Sequence, residues 1–527
     1  MMGLNVAIIG AGVSGLTTLK QCLDEDIKAT VFEVSSGIGG QWYKEGDSSD
    51  DDPESHEKQR IPISMFEGVI LNSCRDTTNF SDFPIDPARY PDYLSRKMFV
   101  EYLNEYADHF LLKSHIRLDT KVLEAKLMHN GKWLVMHRKA GEEMVEEVYD
   151  AVFACSGHLS TPLMPEIEGK DSFKGEILHS QEYHRPSRFE GKRVAIIGFG
   201  SSAADISCEL AGQTKELYLV THRGAWIFPR FFQGKPVEAF STRITETVLP
   251  RRLTQWSQSK LYKAVTGKLP EEIQPEHGLR QANVTVQSEF LEKIRLNRIT
   301  VYKVDDDVKM DEHGLILPDG TVLYVDTIIF CTGYRVDFPY LQAETYQSQE
   351  HGVLDPEPTN SVDLYKLVVS PRFSNLFFIG LVEVMGPLVP VAEIQARWAT
   401  AILTNRAKLP SVETMYAYIR GFQRDIRRKM VNSERHAITV RYLRYCDDIL
   451  EDLRATPRFK LFLRKIFSGK PSVGLRLMKA VYFGISSPAQ YRLFGDGGKP
   501  ELATATLLRL NKKSSELSEE EKALLVL

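Results

Sequence analysis

Two glycine turns carry the chemistry of this 527-residue chain, and neither supplies a nucleophile or an acid–base pair. The first is Gly10-Ala11-Gly12-Val13-Ser14-Gly15, entered from the apolar run VAII at residues 6–9 and followed by a helical pattern over 16–23. Glycines at this spacing let a backbone turn tightly, approach a pyrophosphate and pack a helix on a strand, with phosphate on the helix N-terminus. A second apolar strand at 29–32 ends at Glu33, 23 residues after Gly10, where a carboxylate can accept hydrogen bonds from a ribose diol. The second turn, Gly198-Phe199-Gly200-Ser201-Ser202-Ala203, again follows a strand pattern (192–197) and precedes a helical one (204–210). Its partner strand at 217–220 ends in Thr221-His222-Arg223, with no acid. A hydroxyl and an arginine at that place suit a ribose 2′-phosphate. Two dinucleotide folds with different ribose readers imply two different dinucleotides, FAD at the first and NADPH at the second. Ser202 and Asp205 follow the second turn: the hydroxyl can meet NADP phosphates, while a carboxylate would orient backbone or ribose, since facing phosphate it would repel.

The elements that position these turns make an α/β protein of two Rossmann-like domains, the second inserted in the first. Residues 1–185 read as the first part of the FAD domain, 190–330 as the NADPH domain, 331–440 as the second part of the FAD domain, and 441–527 as a mainly helical C-terminal region. A chain this long exceeds one hydrophobic core. Helical spacing runs over 98–112, strands over 116–149 as a meander against the first domain, and buried strands over 151–155, 325–330 and 375–380. The charge run at 47–60 reads as a solvated loop. Residues 240–297 interrupt the second fold, and 413–454 read as helices. The stretch 457–483 holds seven Lys or Arg and no acid, interleaved with Phe459, Phe462, Phe467 and Tyr482. Two readings stay open: helices packed by their apolar faces, or a peripheral contact with an anionic membrane. The tail at 514–527 is short and charged and is expected to fray.

Composition excludes several classes. A formal charge of −4 with 26% charged residues gives no footprint for nucleic acid. Six dispersed cysteines form no C-x-x-C pair, which predicts reduced thiols, no metal site, and a plan unlike the disulfide reductases that share two dinucleotide folds. The first strand opens too early for a signal peptide, and no transmembrane helix is expected. A cytoplasmic protein is expected, with peripheral attachment to the endoplasmic reticulum membrane through 457–483 left open, as is a homodimer.

Between the turns lies Phe173-Lys174-Gly175-Glu176-Ile177-Leu178-His179-Ser180-Gln181-Glu182-Tyr183. This F-x-G-x-x-x-H-x-x-x-Y run resembles the identifying motif of the flavin-containing monooxygenases. Further stretches similar to that family are Leu71-Asn72-Ser73, Asn79-Phe80-Ser81-Asp82-Phe83-Pro84, Arg223-Gly224-Ala225-Trp226, Cys331-Thr332-Gly333-Tyr334 and Gln395-Ala396-Arg397-Trp398-Ala399. The likeness spans roughly residues 4–500, and the 240–297 insertion sits where animal-type members carry one. It implies that NADPH reduces FAD, that O₂ then forms a flavin C4a-hydroperoxide, and that a small amine or sulfide is oxygenated. It places Asn72 beside the flavin ring as the catalytic candidate, Gln41 and Trp42 along the ring edge, and Ser73, Thr332 and Gly333 among the cofactor contacts. A neutral amide suits a labile peroxide, since it donates and accepts hydrogen bonds without being a strong acid. Tyr183 at the motif's end favours N- and S-oxygenation over the related Baeyer–Villiger oxidation of ketones, which stays the alternative. A third class, a cofactor-bound redox sensor without turnover, is opposed by the intact turns, Glu33, Arg223 and Asn72. Departures exist: His222 stands where animal members commonly have arginine, Ser156 replaces a threonine, and the family's hydrophobic C-terminal anchor is missing. His179 is open between a satisfied structural residue and a link to domain motion.

Overall fold

A computed structural model describes residues 3–44, 65–342, 360–431, 434–467 and 471–510; the 47–60 charge run and the 514–527 tail lie outside them. The apolar run before the first glycine turn becomes β1 (Asn5–Ile9), fully sheltered from Val6 to Ile8. Such a strand needs cover on both faces and partners on both edges. It pairs in parallel with β2 (Lys28–Phe32) on one side and Ala151–Ala154 on the other. β3 (Ile116–Arg117) extends the sheet beyond β2, and Leu376–Phe378 closes the far edge. The chain therefore returns to its first sheet more than two hundred residues after leaving it. Helix α1 (Val13–Asp24) follows the first turn and packs against the long helix Leu388–Leu403. Helix α2 (Arg96–His109) turns Phe99, Tyr102, Leu103 and Tyr106 inward, as the apolar spacing predicts.

The second sheet repeats the plan, with the parallel order Thr300–Lys303, Glu216–Thr221, Arg193–Ile197, Thr327–Phe330, Glu176–His179. Helix α3 (Ser201–Leu210) follows its glycine turn. The meander is the antiparallel trio Thr120–Leu127, Trp133–Lys139 and Met144–Tyr149, with Trp133 buried against the first core. A second antiparallel trio within 309–324 was not legible in the sequence. The all-helical reading of 413–454 needs correction. Between Val412–Lys429 and Tyr442–Leu450 the β-branched Thr439–Arg441 forms a strand parallel to Glu383–Met385.

The insertion contributes helix α4 (Arg251–Thr266), whose Tyr262 meets Trp226 and Phe228 edge-on, and the short strand Thr285–Val286 beside Ile227–Phe228. The basic stretch forms two helices, Phe459–Phe467 and Pro471–Phe483. Phe462, Leu477 and Val481 build a separate core with Leu507, and Ile244 of the insertion packs on it; Phe459, Leu463, Leu475 and Phe483 remain exposed. No helix among the described residues is long and apolar enough to cross a membrane.

Buried charges fasten the C-terminal region to the first domain. Asp82 takes Lys20 at 2.6 Å, Lys499 at 2.9 Å and Arg492 at 3.2 Å, while Arg492 also pairs with Glu393 at 2.5 Å. These three cations hold the Asp82 carboxyl well below the usual carboxylate range. Trp398 donates to Asp452, and Arg397 donates to the carbonyls of Tyr491 and Asp496. The stretches around Asn79 and Gln395 thus fasten the fold together. The six cysteines are unpaired, and burial pushes their thiols up.

Candidate active site

The two turns are built alike. Gly10 N–H donates to Phe32 O at 2.8 Å, and Gly198 N–H donates to Val220 O at 3.0 Å. Ile9 pairs with Phe32 and Ile197 with Val220, so Glu33 and Thr221 occupy equivalent places, one residue beyond. A Cβ on Gly15 would meet Gly10 O at 1.8 Å, so only glycine lets α1 pack this closely on β1. Gly12 differs. Its φ of −75° is open to any residue, and its nearest neighbour is the Gly40 Cα, 3.4 Å from an added Cβ.

Both helices begin without a side-chain cap and without an acidic residue in the first turn. Their first N–H groups are thus left to a ligand, and the helix dipole favours an anion there. That arrangement fits a pyrophosphate at each. Glu33 is buried; its Oε2 accepts from Ala11 N at 2.6 Å and its Oε1 from Ser35 N at 2.9 Å. Ser35 Oγ also donates to Oε1 at 2.5 Å, so Oε2 is the oxygen that keeps a lone pair for a ribose hydroxyl. Val13 and Ser14 start α1, and Gly380, just beyond the last strand of the sheet, lies against the Ser14 hydroxyl. At the second turn Thr221 Oγ1 donates to Arg223 O at 2.7 Å and accepts from Arg223 N at 3.2 Å, which places the exposed Arg223 at the strand's end.

A cavity of about 1130 Å³ opens between the two sheets. Asn72, Ser73 and Thr77 line it from the first domain, Gly198, Gly200 and Ser202 from the second turn, and Thr332 and Gly333 from the returning crossing. Phe240, Leu261 and Arg280 wall it from the insertion, and Val384, Met385 and Leu388 from the segment after the final strand. Other expected residues lie elsewhere. The first turn, Glu33, Gln41 and Trp42 do not line this cavity. Gln41 donates to Leu159 O, and Trp42 stands edge-on to Phe99 and packs on both domain cores. Asp205 sits inside α3, where Gln287 donates to it at 2.7 Å and burial pushes its carboxyl up to about 6.

The F-x-G-x-x-x-H-x-x-x-Y run makes scaffold contacts at Phe173, His179 and Tyr183, and its Ser180 lines the cavity. Phe173 lies over Gly175, where no Cβ would fit. His179 accepts from Gln181 N through Nδ1, so its proton is on Nε2, which donates to Gly333 O at 3.1 Å. Burial lowers its pKa, keeping the ring neutral. The imidazole thereby ties together the two chain crossings between the domains. Tyr183 is buried and donates to Glu209 at 2.8 Å.

Sequence reasoning missed Arg230. Its guanidinium donates to Leu71 O at 3.1 Å, to Ile70 O at 3.0 Å and to Asn72 Oδ1 at 3.1 Å. The signal was present: an arginine flanked by Phe228, Pro229, Phe231 and Phe232 is a charge in an apolar run, which demands polar partners. Glu238 was missed as well. It lines the cavity, accepts from Cys74 N at 2.8 Å and Tyr93 Oη at 2.6 Å, and burial raises its pKa.

Comparison with known proteins agrees with this architecture. A family model described as flavin-binding monooxygenase-like matches residues 3–519. The N-oxide-forming dimethylaniline monooxygenase 2 of Oryctolagus cuniculus is 33% identical over 513 residues, covering 94% of this chain and 90% of its own. Among solved structures, S-allyl-L-cysteine S-oxygenase from Allium sativum matches with a TM-score of 0.61 at 23% identity, covering 86% of this chain and 88% of its own. Closed cyclohexanone monooxygenase matches with a TM-score of 0.62 at 16% identity, covering 85% and 97%. With two uncapped dinucleotide turns in one chain, and with a family model matching nearly all of it, this protein belongs to the flavin-binding monooxygenase-like family.

Proposed function

We propose that the protein is an NADPH- and FAD-dependent monooxygenase that places one oxygen atom from O₂ on soft nitrogen or sulfur centres of small molecules. One observation carries the reading: Asn72 of the first domain and the Gly198–Ser202 turn of the second line the same cavity. Bound FAD would take hydride from NADPH and pass the electrons to O₂, so the hard chemistry is the cofactor's. The chain's own residues bind and seclude. Gly12, Val13, Ser14 and Gly15 would hold the FAD pyrophosphate and Glu33 its ribose; Gly198, Gly200 and Ser202 would hold the NADPH pyrophosphate, with Thr221 and Arg223 at the 2′-phosphate. Asn72, Ser73, Thr332 and Gly333 would lie along the reacting face. Asn72 offers a neutral donor there, and Phe240, Leu261, Val384, Met385 and Leu388 give the cavity apolar walls that exclude water.

The cavity is large enough for a small molecule beside the nicotinamide end of the second cofactor. Nitrogen and sulfur substrates are favoured by Tyr183 at the end of the motif and by a curated relative at 33% identity whose name specifies N-oxide formation. Ketone oxygenation is the competing reading. A panel of one tertiary amine, one sulfide and one ketone, each with NADPH consumption measured against product, separates them. N-oxide or sulfoxide at near one per NADPH is expected; ester as the main product would overturn the assignment.

Peripheral membrane contact is the finer reading of the basic C-terminal helices. Phe459, Leu463, Leu475 and Phe483 are exposed among Lys460, Arg464, Arg476 and Lys479, a composition suited to an anionic lipid surface. Co-sedimentation with vesicles containing phosphatidylserine, lost in high salt, is the expected result; failure to bind at low salt would leave packing as the role of these helices.

A further inference from the structure

Arg230 belongs to the second domain, in the segment that leaves the Glu216–Thr221 strand, yet every hydrogen bond of its guanidinium described above crosses to the first. The residue is 8% exposed, and no carboxylate lies within ion-pair distance of it among the described residues. A buried cation normally has a counter-ion. Here its charge is met by three oxygens of residues 70–72, by the Tyr93 ring, whose centroid is 6.0 Å away, and at longer range by the Asp205 and Glu238 carboxylates. The arginine is itself pinned. The single Tyr93 hydroxyl proton is shared between Arg230 O at 2.5 Å and Glu238 Oε2 at 2.6 Å, and Arg230 N donates to Ser288 Oγ at 3.1 Å.

Guanidinium only donates, so the Asn72 atom facing it must be the carbonyl oxygen. The Asn72 amide nitrogen is thereby turned away from the arginine, and the residue itself is exposed on the cavity wall. Without the arginine, either end of the amide could face the cavity at similar energy. Two further bonds, to Ile70 O and Leu71 O, hold the backbone that carries Asn72.

We infer that Arg230 is a positioning residue: it presents the Asn72 amide nitrogen to the cavity as a donor and couples that orientation to the seating of the NADPH domain on the FAD domain. The inference rests on the monooxygenase reading for its consequence, and on geometry alone for the clamp. A planar fork reaching three oxygens cannot be replaced by a point charge, so lysine preserves charge and loses function.

The test uses FAD-loaded protein carrying Arg230→Gln or Arg230→Lys. Hydrogen–deuterium exchange of peptides covering residues 69–74 reads the clamp without turnover, and at least tenfold faster exchange is expected in both variants. In turnover, hydrogen peroxide released per NADPH should rise about fivefold or more, with KM for NADPH within twofold, because the Gly198 turn and Arg223 are untouched. An Arg230→Gln/Asn72→Ala double variant should leak no more than Asn72→Ala alone. Unchanged exchange in both variants overturns the clamp. Unchanged coupling, or leakage in the double variant equal to the product of the single effects, overturns positioning through Asn72. If Arg230→Gln fails to fold, Arg230→Lys is read by the same criteria. A wild-type protein that consumes no NADPH would sink the monooxygenase reading, while the exchange comparison would still decide the clamp.

Discussion

Gly12 and Gly15 are three residues apart in one turn, and the structure assigns them different reasons for being glycine. An alanine at Gly15 would place its Cβ 1.8 Å from Gly10 O, a backbone atom that moves only if β1 and α1 separate. Overpacking against backbone costs about 1–3 kcal/mol or more, so Gly15→Ala should destabilise the protein even without flavin. An alanine at Gly12 meets Gly40 Cα at 3.4 Å and keeps an ordinary φ of −75°. Its cost to the flavin-free fold is that of a poorer N-cap, at most about 1 kcal/mol. Its methyl group, however, stands where the pyrophosphate must approach the uncapped N–H groups of α1. Losing part of the helix–phosphate attraction, worth up to about 2 kcal/mol, weakens FAD binding about 10- to 30-fold. The assay is a fluorescence titration of deflavinated protein with FAD, beside its thermal unfolding. Gly12→Ala should keep the melting temperature and lose affinity; Gly15→Ala should lose both. A Gly12→Ala protein that binds FAD like wild type would refute the placement of the pyrophosphate. A Gly15→Ala protein of wild-type stability would refute the packing argument.

Three other perturbations separate cofactor reading from scaffolding. Arg223→Ala removes an exposed arginine from the 2′-phosphate site; a screened charge-assisted contact of about 1.5–2 kcal/mol predicts a 10- to 30-fold higher KM for NADPH with KM for NADH unchanged, and an equal rise in both would disprove the role. Asp82→Asn leaves Lys20 and Arg492 buried with their shared charge removed, so about 3–5 kcal/mol and several degrees of melting temperature should be lost. Because the folded Asp82 carboxyl is held below its unfolded value of about 3.9, its contribution is complete above that pH and fades as pH falls below it. The wild type and Asp82→Asn melting curves should therefore converge only in strong acid, and a constant gap down to pH 2 would contradict the assignment. Tyr183→Phe strips the donor from Glu209, costing about 1–3 kcal/mol of stability while leaving kcat and coupling intact; a fall in kcat without a fall in stability would make Tyr183 functional.

Local patterns carried most of the fold. Buried parallel strands read as short β-branched runs, and each glycine turn fell between such a strand and a helix, so the central strand pair of each sheet could be drawn from residues 6–32 and 193–221, while the strands Thr300–Lys303 and Glu176–His179 went unread. The strand Thr439–Arg441 escaped because it is three residues long and takes its partner, Glu383–Met385, from some fifty residues upstream. The small trio over 309–324 escaped for a similar reason: three-residue strands show too little alternation to register. Cofactor-facing backbone was legible because glycine spacing is a backbone requirement. The wall of the cavity was not, since Asn72, Glu238 and Leu388 meet only through packing of separate domains. The motif residues His179 and Tyr183 identify the chain, and their hydrogen bonds join the interdomain crossings and α3 to the scaffold. Asp205, expected to orient backbone or ribose beside its glycine turn, accepts from Gln287 in the structure, a partner the sequence did not point to.

In the proposed reaction the cavity shared by Asn72 and the Gly198 turn delivers oxygen from O₂ to a soft nucleophile at the expense of NADPH. Its most direct test supplies the FAD-loaded protein with NADPH, a tertiary amine or sulfide, and ¹⁸O₂. Bleaching of the flavin by NADPH is expected, then N-oxide or sulfoxide carrying one ¹⁸O, close to one product per NADPH. Product without the label, or NADPH that fails to bleach the flavin, would contradict it.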